Sequence, residues 1–495
     1  MPDNNLKHSG LIKESSIYLS VTVVSTAISF ITLPIYTRFL SPSDFGIIAL
    51  FLTFGLISTG LVSIGIRSAT YRYYFTFKDN TKEFISLNST NIIFLVFIFI
   101  LSGILLYFIS EFASKYLFDG KLSKQIIMLS FLIGCLGYMY EYFTLLLTAQ
   151  KKAKIFAIIT IMMVILNTGL SLFFIFVYSL TYMAKIYAYL ITRSILLITL
   201  IFIFRRYINF EFSINKLKRS IKFSFPLIPR KIIGLTYKTF DKLMLNNYSG
   251  LSSVGYYTFG VKFAVLIKYI MDSIARAWNP FFFEKAHENT EEAKNEIVFI
   301  FFRMSFLIMF IGLGIIYYSE EMIRLLTTSE FYPAMYVVPI YVYYYLFDII
   351  SMLAGNQIMH AEKLSFLLPA SIVSILVNIA LNIVLIPKYG FMGACIATVI
   401  AALLSVLVTF YYGNKFYPLP IKNIKIFNLY VLILIFTIPI YPIMLSNIHF
   451  LIKIMIKGVL LLLFIIIGVR SGYIDSRFLI NSIKSFKLNV DLRTK

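Results

Sequence analysis

The stretch NIIFLVFIFILSGILLYFIS, residues 91–110, contains no charged side chain. An α-helix rises about 1.5 Å per residue, so about 20 residues cross the roughly 30 Å hydrocarbon core of a bilayer. Hydrocarbon offers the backbone no hydrogen-bond partner, and each amide must therefore be satisfied within the helix itself. This stretch predicts a transmembrane helix.

The composition of the whole chain agrees with this prediction. Its 495 residues are 59% hydrophobic and 14% charged, whereas a soluble globular domain is typically about 45–50% apolar and about 25% charged. The sequence also lacks the alternation of polar and apolar positions, over about ten residues, that is typical of a transmembrane barrel. We therefore predict an all-α, polytopic integral membrane protein.

About fourteen apolar stretches are long enough to span the membrane. They are roughly 15–36, 45–66, 91–110, 125–148, 154–178, 184–204, 223–246, 254–276, 296–318, 334–356, 364–386, 391–412, 427–446 and 450–469. Basic residues concentrate in alternate connections, including Arg67 and Arg72 after the second stretch and Lys151 and Lys152 after the fourth. Because cytoplasmic loops carry the excess of Lys and Arg, this bias predicts that both termini are cytoplasmic. The net charge of +22 then lies mostly in loops, and we expect no nucleic-acid partner.

A basic connector separates two sets of six predicted spans. Within it, Ser213 can cap a short amphipathic helix suited to the surface of an anionic leaflet. Ser43 and Gly46 in the first set align with Ser252 and Gly255 in the second, which is typical of a parallel repeat. The predicted divisions are an N-terminal lobe (1–204), the cytoplasmic connector (205–222), a C-terminal lobe (223–412), and two further helices with a basic cytoplasmic tail (413–495).

Sequence signals for catalysis or metal binding are nearly absent. None of the four histidines stands near a carboxylate cluster of metal spacing, and Cys135 and Cys395 have neither disulfide nor metal spacing. The sequence contains no phosphate-binding glycine loop, so we do not expect the chain to hydrolyse a nucleotide. We expect a transport protein rather than an enzyme, with no catalytic residue, cofactor or metal.

Charged residues concentrate on the seventh and eighth predicted spans, where each costs about 2.5–3.5 kcal/mol if it faces lipid. At helical spacing they form a polar stripe on each span: Arg230, Lys238, Asp241 and Lys242 on the seventh, and Lys262, Lys268, Asp272 and Arg276 on the eighth. Cations outnumber carboxylates, so water or an anionic ligand has to balance the excess charge. Guanidinium and ammonium groups suit phosphate oxygens, and the stripes therefore favour an anion transporter.

A structural interpretation remains open for part of this set. Lys268 and Asp272 are four residues apart and could pair along their own helix. We interpret Asp241 and Asp272 mainly as groups that hold the neighbouring cations in place. Charges isolated in other spans are interpreted as structural or as snorkelling toward the membrane interface; they are Glu141, Arg193, Arg303, Asp348 and Lys457.

Three stretches resemble one family of membrane proteins. They are LPIYTRFLSPSDFGIIAL at 33–50, FPLIPRKIIGLTYKTFDKLMLNNYSGLSSVGYYTFGVKFA at 225–264, and LNIVLIPKYGFMGACIATVIAALLS at 381–405. Pro229, Asp241 and Gly255 stand in the expected order in the second stretch, as do Pro387 and Gly390 in the third. The stretches resemble the polysaccharide flippases, which translocate lipid-linked O-antigen and capsule repeat units. This family shares a superfamily with the multidrug-and-toxin exporters and the lipid II flippase.

The resemblance implies two six-helix lobes around a central cavity lined mainly by spans 1, 2, 7 and 8. It implies alternating access, without bond chemistry, for undecaprenyl-pyrophosphate-linked oligosaccharides in the bacterial cytoplasmic membrane. The implied partners are membrane lipids and a polymerase and chain-length regulator of the same pathway. Carried over by position, the substrate-binding cations are Arg230, Lys238, Lys262 and Arg38, and the groups for cavity support or ion coupling are Asp241, Lys242, Lys268 and Asp272.

Three alternatives stay open at this stage. A multidrug exporter of the same superfamily is disfavoured because spans 1 and 2 carry no intramembrane carboxylate for cation coupling. A lipid II flippase is compatible with fourteen spans. An enzyme, either a polysaccharide polymerase or a ligase, is disfavoured by the short outer loops.

Overall fold

The computed structural model describes residues 17–18, 20–77, 80–225 and 228–474 and, within these ranges, all side chains except those at 229–231, 233, 237 and 238. The regular secondary structure of the described residues is helical throughout, which confirms the predicted all-α class. In chain order the helices are α1 (Ser20–Phe39), α2 (Pro42–Val62), α3 (Ile66–Thr76), α4 (Thr81–Phe118), α5 (Lys124–Ala149), α6 (Ala153–Tyr178), α7 (Tyr182–Phe204), α8 (Ile214–Ser224), α9 (Ile228–Ala264), α10 (Leu266–Glu288), α11 (Glu291–Tyr317), α12 (Ser319–Leu326), α13 (Val337–His360), α14 (Leu367–Phe416), α15 (Asn423–Thr437), α16 (Ile440–Leu445) and α17 (Phe450–Arg470).

Eleven helical segments among the described residues are long and apolar enough to cross a membrane. One of them contains α14, in which Gly390 breaks the helix (φ +54°, ψ −133°) between two of the predicted spans. Helices α9 and α10 fall outside the eleven, although they are 37 and 23 residues long, because their charged residues lower their mean hydropathy. With α14 counted twice and the α9–α10 pair included, the helices account for the roughly fourteen predicted spans.

Helix α4 contains the charge-free stretch quoted above and is longer than predicted. It has 38 residues against the 20 of the predicted span, and at about 1.5 Å per residue it is about 57 Å long. One face carries large exposed side chains at helical spacing, namely Phe97, Ile100, Ile104 and Phe108. An apolar face that is exposed among the described residues is what a helix presents to lipid.

Local signals in the sequence fix several helix ends. Ser41 and Asp44 form a capping box at the start of α2, in which the Ser41 hydroxyl accepts from the Asp44 amide and the Asp44 carboxylate accepts from the Ser41 amide. Within α9, Gly250 turns the chain with φ +81° and ψ 174°, a conformation that favours glycine. The turn predicted between the seventh and eighth spans therefore lies at Gly250.

The connector helix α8 begins at the predicted cap and packs against its own unit. The Ser213 side chain accepts a hydrogen bond from the Lys216 amide, as a helix cap does. The helix lies against α3 and α4, where Leu217 is buried, the Ser224 hydroxyl donates to the Gly65 carbonyl at 3.2 Å, and the Lys216 ammonium is 3.0 Å from the Glu83 carboxylate. The buried side of α8 consists of Leu217, Ser220 and Ser224, and its place on a membrane surface stays a prediction.

The chain forms two compact units. The first contains residues 1–258 and 326–330, and the second contains residues 259–325 and 331–495. The boundary between the units lies inside α9, between Thr258 and Phe259, eight residues after Gly250. The two lobes, the connector and the C-terminal helices proposed from the sequence divide the chain elsewhere and stay a prediction.

The orientation in the membrane can be tested with reporter fusions. We expect a reporter fused after Lys222 or after Lys495 to report a cytoplasmic location, because these positions follow the most basic connections. A fusion after Leu180, in the short turn between α6 and α7, is the control and should report the opposite side. A periplasmic signal after Lys222 would show that the span count or the orientation is wrong.

Candidate functional site

The seventh predicted span holds its carboxylate in the protein interior. Asp241 is 4% exposed, and its Oδ2 accepts a hydrogen bond of 2.7 Å from the Tyr257 hydroxyl. The two residues lie on either side of the turn at Gly250. A buried carboxylate needs hydrogen-bond donors to offset its lost hydration, so this contact anchors the polar stripe of α9 across the helical hairpin.

Two lysines of the predicted site also have defined neighbours. The Lys242 ammonium lies 3.4 Å from the Thr53 hydroxyl of α2, which connects the seventh predicted span to the second. On α10, the Lys268 ammonium is 3.3 Å from the Asp272 carboxylate, and both side chains are about half exposed. The pairing along one helix that the spacing of Lys268 and Asp272 allows is therefore present.

The four proposed substrate-binding cations belong to two helices, α1 and α9. Arg38 is exposed in the last turn of α1, and Lys262 is exposed near the end of α9. The side chains of Arg230 and Lys238 lie outside the described residues, although their backbone belongs to the helical part of α9. The assignment of these residues to one site stays a prediction.

Helix α2 and the second part of α9 approach each other closely near their N-terminal ends, within the first unit. A Cβ atom placed on Gly46 would lie 2.1 Å from the carbonyl oxygen of Leu251, and one placed on Gly255 would lie 2.0 Å from the carbonyl oxygen of Pro42. Gly46 lies four positions after Pro42, and Gly255 lies four positions after Leu251. The two helices therefore make the same contact in both directions. Equivalent contacts exchanged in this way are expected of segments related by a two-fold axis, which supports the alignment of Gly46 with Gly255.

Two of the charges that the sequence presented as isolated, Glu141 and Lys457, are paired in the structure. Glu141 of α5 forms an ion pair with Arg67 of α3. In the second unit, Glu320 of α12 lies 3.2 Å from the Lys453 ammonium and 3.4 Å from that of Lys457, both on α17. Lys457 is fully buried, so of the two interpretations, structural or snorkelling, the structural one applies to it. Sequence periodicity could flag these residues only as unusual, because their partners lie more than 70 positions away.

Comparison with known families decides what kind of protein carries these features. The profile of a family described as "Polysaccharide biosynthesis protein" matches residues 11–286, more than half of the chain. The chain belongs to this family. A second profile, MatE, matches residues 226–384, a region that includes α10, α11 and α12. The family resemblance found in the sequence is confirmed, and it places this polysaccharide biosynthesis protein among the multi-pass flippases and transporters of its superfamily.

One curated relative of this family member is the probable low-salt glycan biosynthesis flippase Agl15 of Haloferax volcanii. The two proteins are 21% identical over 184 residues, which cover 37% of this chain and 39% of the relative. The match therefore spans about two-fifths of that protein's length.

Solved structures show how the polysaccharide biosynthesis protein folds. Lipid II flippase MurJ in an inward closed conformation is similar with a TM-score of 0.70 at 19% identity, over 92% of this chain and 99% of that chain. A multidrug resistance MATE family transporter of the MOP superfamily, in an inward-facing conformation, is similar with a TM-score of 0.62 at 15% identity, over 79% of this chain and 94% of that chain. These similarities show a shared fold.

Proposed function

We infer that this chain is a flippase that moves undecaprenyl-pyrophosphate-linked oligosaccharide repeat units across the bacterial cytoplasmic membrane for O-antigen, capsule or exopolysaccharide synthesis. It works by alternating access of a central cavity between two lobes. Both termini are cytoplasmic, and a polymerase and a chain-length regulator act on the exported units.

The observation that carries this proposal is the polarity of α9 and α10. They are long helices within a fold of membrane-spanning helices, and yet they are too charged to count as apolar spans. Charges within a membrane protein are rarely lipid-exposed and usually line a water-filled path or pair with each other. Cations outnumber carboxylates on these two helices, and this excess of positive charge supports a path for an anion.

A lipid-linked pyrophosphate fits such a path chemically. Its phosphate oxygens are acceptors for guanidinium and ammonium groups. The lipid tail stays in the hydrocarbon, so only the pyrophosphate and the sugars need a polar route. Arg230 and Lys238 are eight positions apart on the helical part of α9 and lie on the face of that helix that also contains Asp241. We place the pyrophosphate against this face, with Lys262 and Arg38 as further cations.

Alanine at Arg230 or at Lys238 is expected to abolish or strongly reduce surface polysaccharide at normal abundance of the protein in the membrane. The reason is that the pyrophosphate loses a counter-charge for which lipid offers no substitute. Charge-keeping replacements, Arg230→Lys and Lys238→Arg, should retain part of the export. Surface polysaccharide is measured by immunoblot alongside protein abundance.

The matched control is Arg205→Ala, an arginine that is exposed at the end of α7 and lies over the Phe202 ring. It should export normally. If both alanine variants at Arg230 and Lys238 also make wild-type amounts of polymer, the stripe is structural and the anion path is wrong.

The alternative functions make different predictions for a deletion strain. Loss of the proposed flippase lowers surface polysaccharide and accumulates lipid-linked repeat units. A lipid II flippase would instead cause accumulation of lipid II, and a multidrug exporter would change the uptake of labelled drug. A polymerase would alter polymer chain length while single repeat units still reach the surface.

A further inference from the structure

Two arginines and one glutamate from three different helices meet around a cavity inside the first unit. The cavity has a volume of about 300 Å³ and is bordered by α2, α5 and α7. Arg67 of α3, Glu141 of α5 and Arg193 of α7 all contribute to its lining. These three residues are far apart in the sequence, and the packing of their helices brings them to the same cavity.

Arg193 is held on α5 by a specific contact. Its Nη1 donates a hydrogen bond of 2.7 Å to the Ile133 carbonyl. A Cβ atom on Gly137, one turn further along α5, would lie 2.7 Å from the same Nη1. The guanidinium therefore packs directly against α5 at Gly137, and a larger side chain there would displace it from this position.

Another donor of this guanidinium is unsatisfied. The Nε atom of Arg193 is buried and has no hydrogen-bond partner among the residues that the structure describes. In a guanidinium, the Nε–H and one Nη–H point the same way and bind the two oxygens of a carboxylate or phosphate side by side. A buried donor without a partner costs about 1–3 kcal/mol, and a ligand that accepts from it recovers this energy.

The charge balance around the cavity indicates the sign of that ligand. Glu141 pairs with Arg67, which neutralises one of the two arginines. Among the described residues that line the cavity, Arg193 therefore leaves a net charge of about +1. A water molecule would satisfy the Nε–H and would leave this charge unbalanced, whereas an anion does both.

We propose that the cavity formed by Arg67, Glu141 and Arg193 is a binding site for an oxyanion, a carboxylate or phosphate group that Arg193 binds directly. At about 30 Å³ per water, the cavity holds roughly ten waters, which is room for such a group with part of a sugar or its hydration. Glu141 competes with the oxyanion for the arginines, so it weakens binding and favours release.

The site lies next to the helix that carries the predicted pyrophosphate contacts. Leu235 of α9 also lines the cavity, five positions after Arg230 and three before Lys238. An acidic sugar or a phosphate of a lipid-linked glycan is one source of the oxyanion, and this assignment of the source rests on the proposed function. The binding site itself does not, because it follows from the cavity and its charges.

Calorimetric titration of the purified full-length protein in lipid nanodiscs tests the proposal. The probes are inorganic phosphate and glucuronate, at constant ionic strength. We expect wild-type protein to bind at least one probe, Arg193→Gln to bind it at least tenfold more weakly, and Arg193→Lys to fall between them. Tighter binding of glucuronate indicates a sugar acid as the source, and tighter binding of phosphate indicates the phosphate linkage.

Glu141→Gln provides a gain-of-affinity test that misfolding cannot imitate. Removing its charge releases Arg67, so we expect binding to become at least threefold tighter. Arg205 directly follows α7 and does not line the cavity, so Arg205→Gln should bind the probes like wild type. The proposal is overturned if neither probe binds to wild-type protein, or if Arg193→Gln and Glu141→Gln both leave the affinity unchanged. Because binding is measured without transport, this failure is distinct from a failure of the flippase assay.

Discussion

Replacing Glu320 with alanine is expected to lower the free energy of unfolding by about 3–5 kcal/mol, because it leaves buried lysines without their carboxylate. Glu320 is 3% exposed and lies within 3.4 Å of Lys453 and Lys457, and it also accepts from Arg324 at 3.0 Å. Of these two lysines, only Lys457 has a second carboxylate partner among the described residues, which is Glu321. Unfolding of the purified protein by denaturing detergent, followed by circular dichroism, measures the change.

The matched control is Glu291→Ala, which removes an exposed carboxylate 2.9 Å from Lys294 on α11. Exposed pairs contribute about 0–1 kcal/mol, so the control should hardly shift the transition. Replacing Glu320, Glu321, Lys453 and Lys457 together with apolar residues of similar size should recover much of the loss, since no buried charge of this network is then stranded. Equal shifts for Glu320→Ala and Glu291→Ala would contradict a stabilising role for this buried network.

The second large effect is expected at the crossing of α2 and α9. Alanine at Gly46 or at Gly255 places a methyl group about 2 Å from a backbone carbonyl oxygen, and backbone cannot move aside as the end of a flexible side chain can. Overpacking typically costs about 1–3 kcal/mol, and we expect each variant to reach the upper end of this range. Thermal unfolding in detergent and surface polysaccharide should both decrease.

Gly169→Ala on α6 is the control, because a Cβ atom there has nothing within 4 Å. This variant should be neutral or slightly stabilising, since alanine favours a helix by up to about 1 kcal/mol over glycine. The double variant Gly46→Ala/Gly255→Ala should lose less than the sum of the single variants, because helices already separated by one methyl leave room for the second. Behaviour of Gly46→Ala like that of Gly169→Ala would rule out the close crossing.

The sequence by itself determined the class of the protein and the positions of its helices. Long apolar runs can only be helices in hydrocarbon, which is why the 91–110 stretch and its counterparts predicted an all-α membrane protein without any tertiary information. Local signals acted over a few residues and were equally readable, such as the cap at Ser213 and the turns near Gly250 and Gly390. The order of three motifs was enough to indicate the family.

The tertiary structure alone decided which charges are partners. Helical spacing allowed the pair of Lys268 and Asp272 to be considered from the sequence, because both lie on one helix. It gave no means of connecting Arg67 with Glu141, or Glu320 with Lys457, because side chains on different helices meet only after the helices pack. Pairing across helices depends on their rotation and on close approaches such as the one at Gly46 and Gly255, and a linear pattern of residues does not contain these quantities.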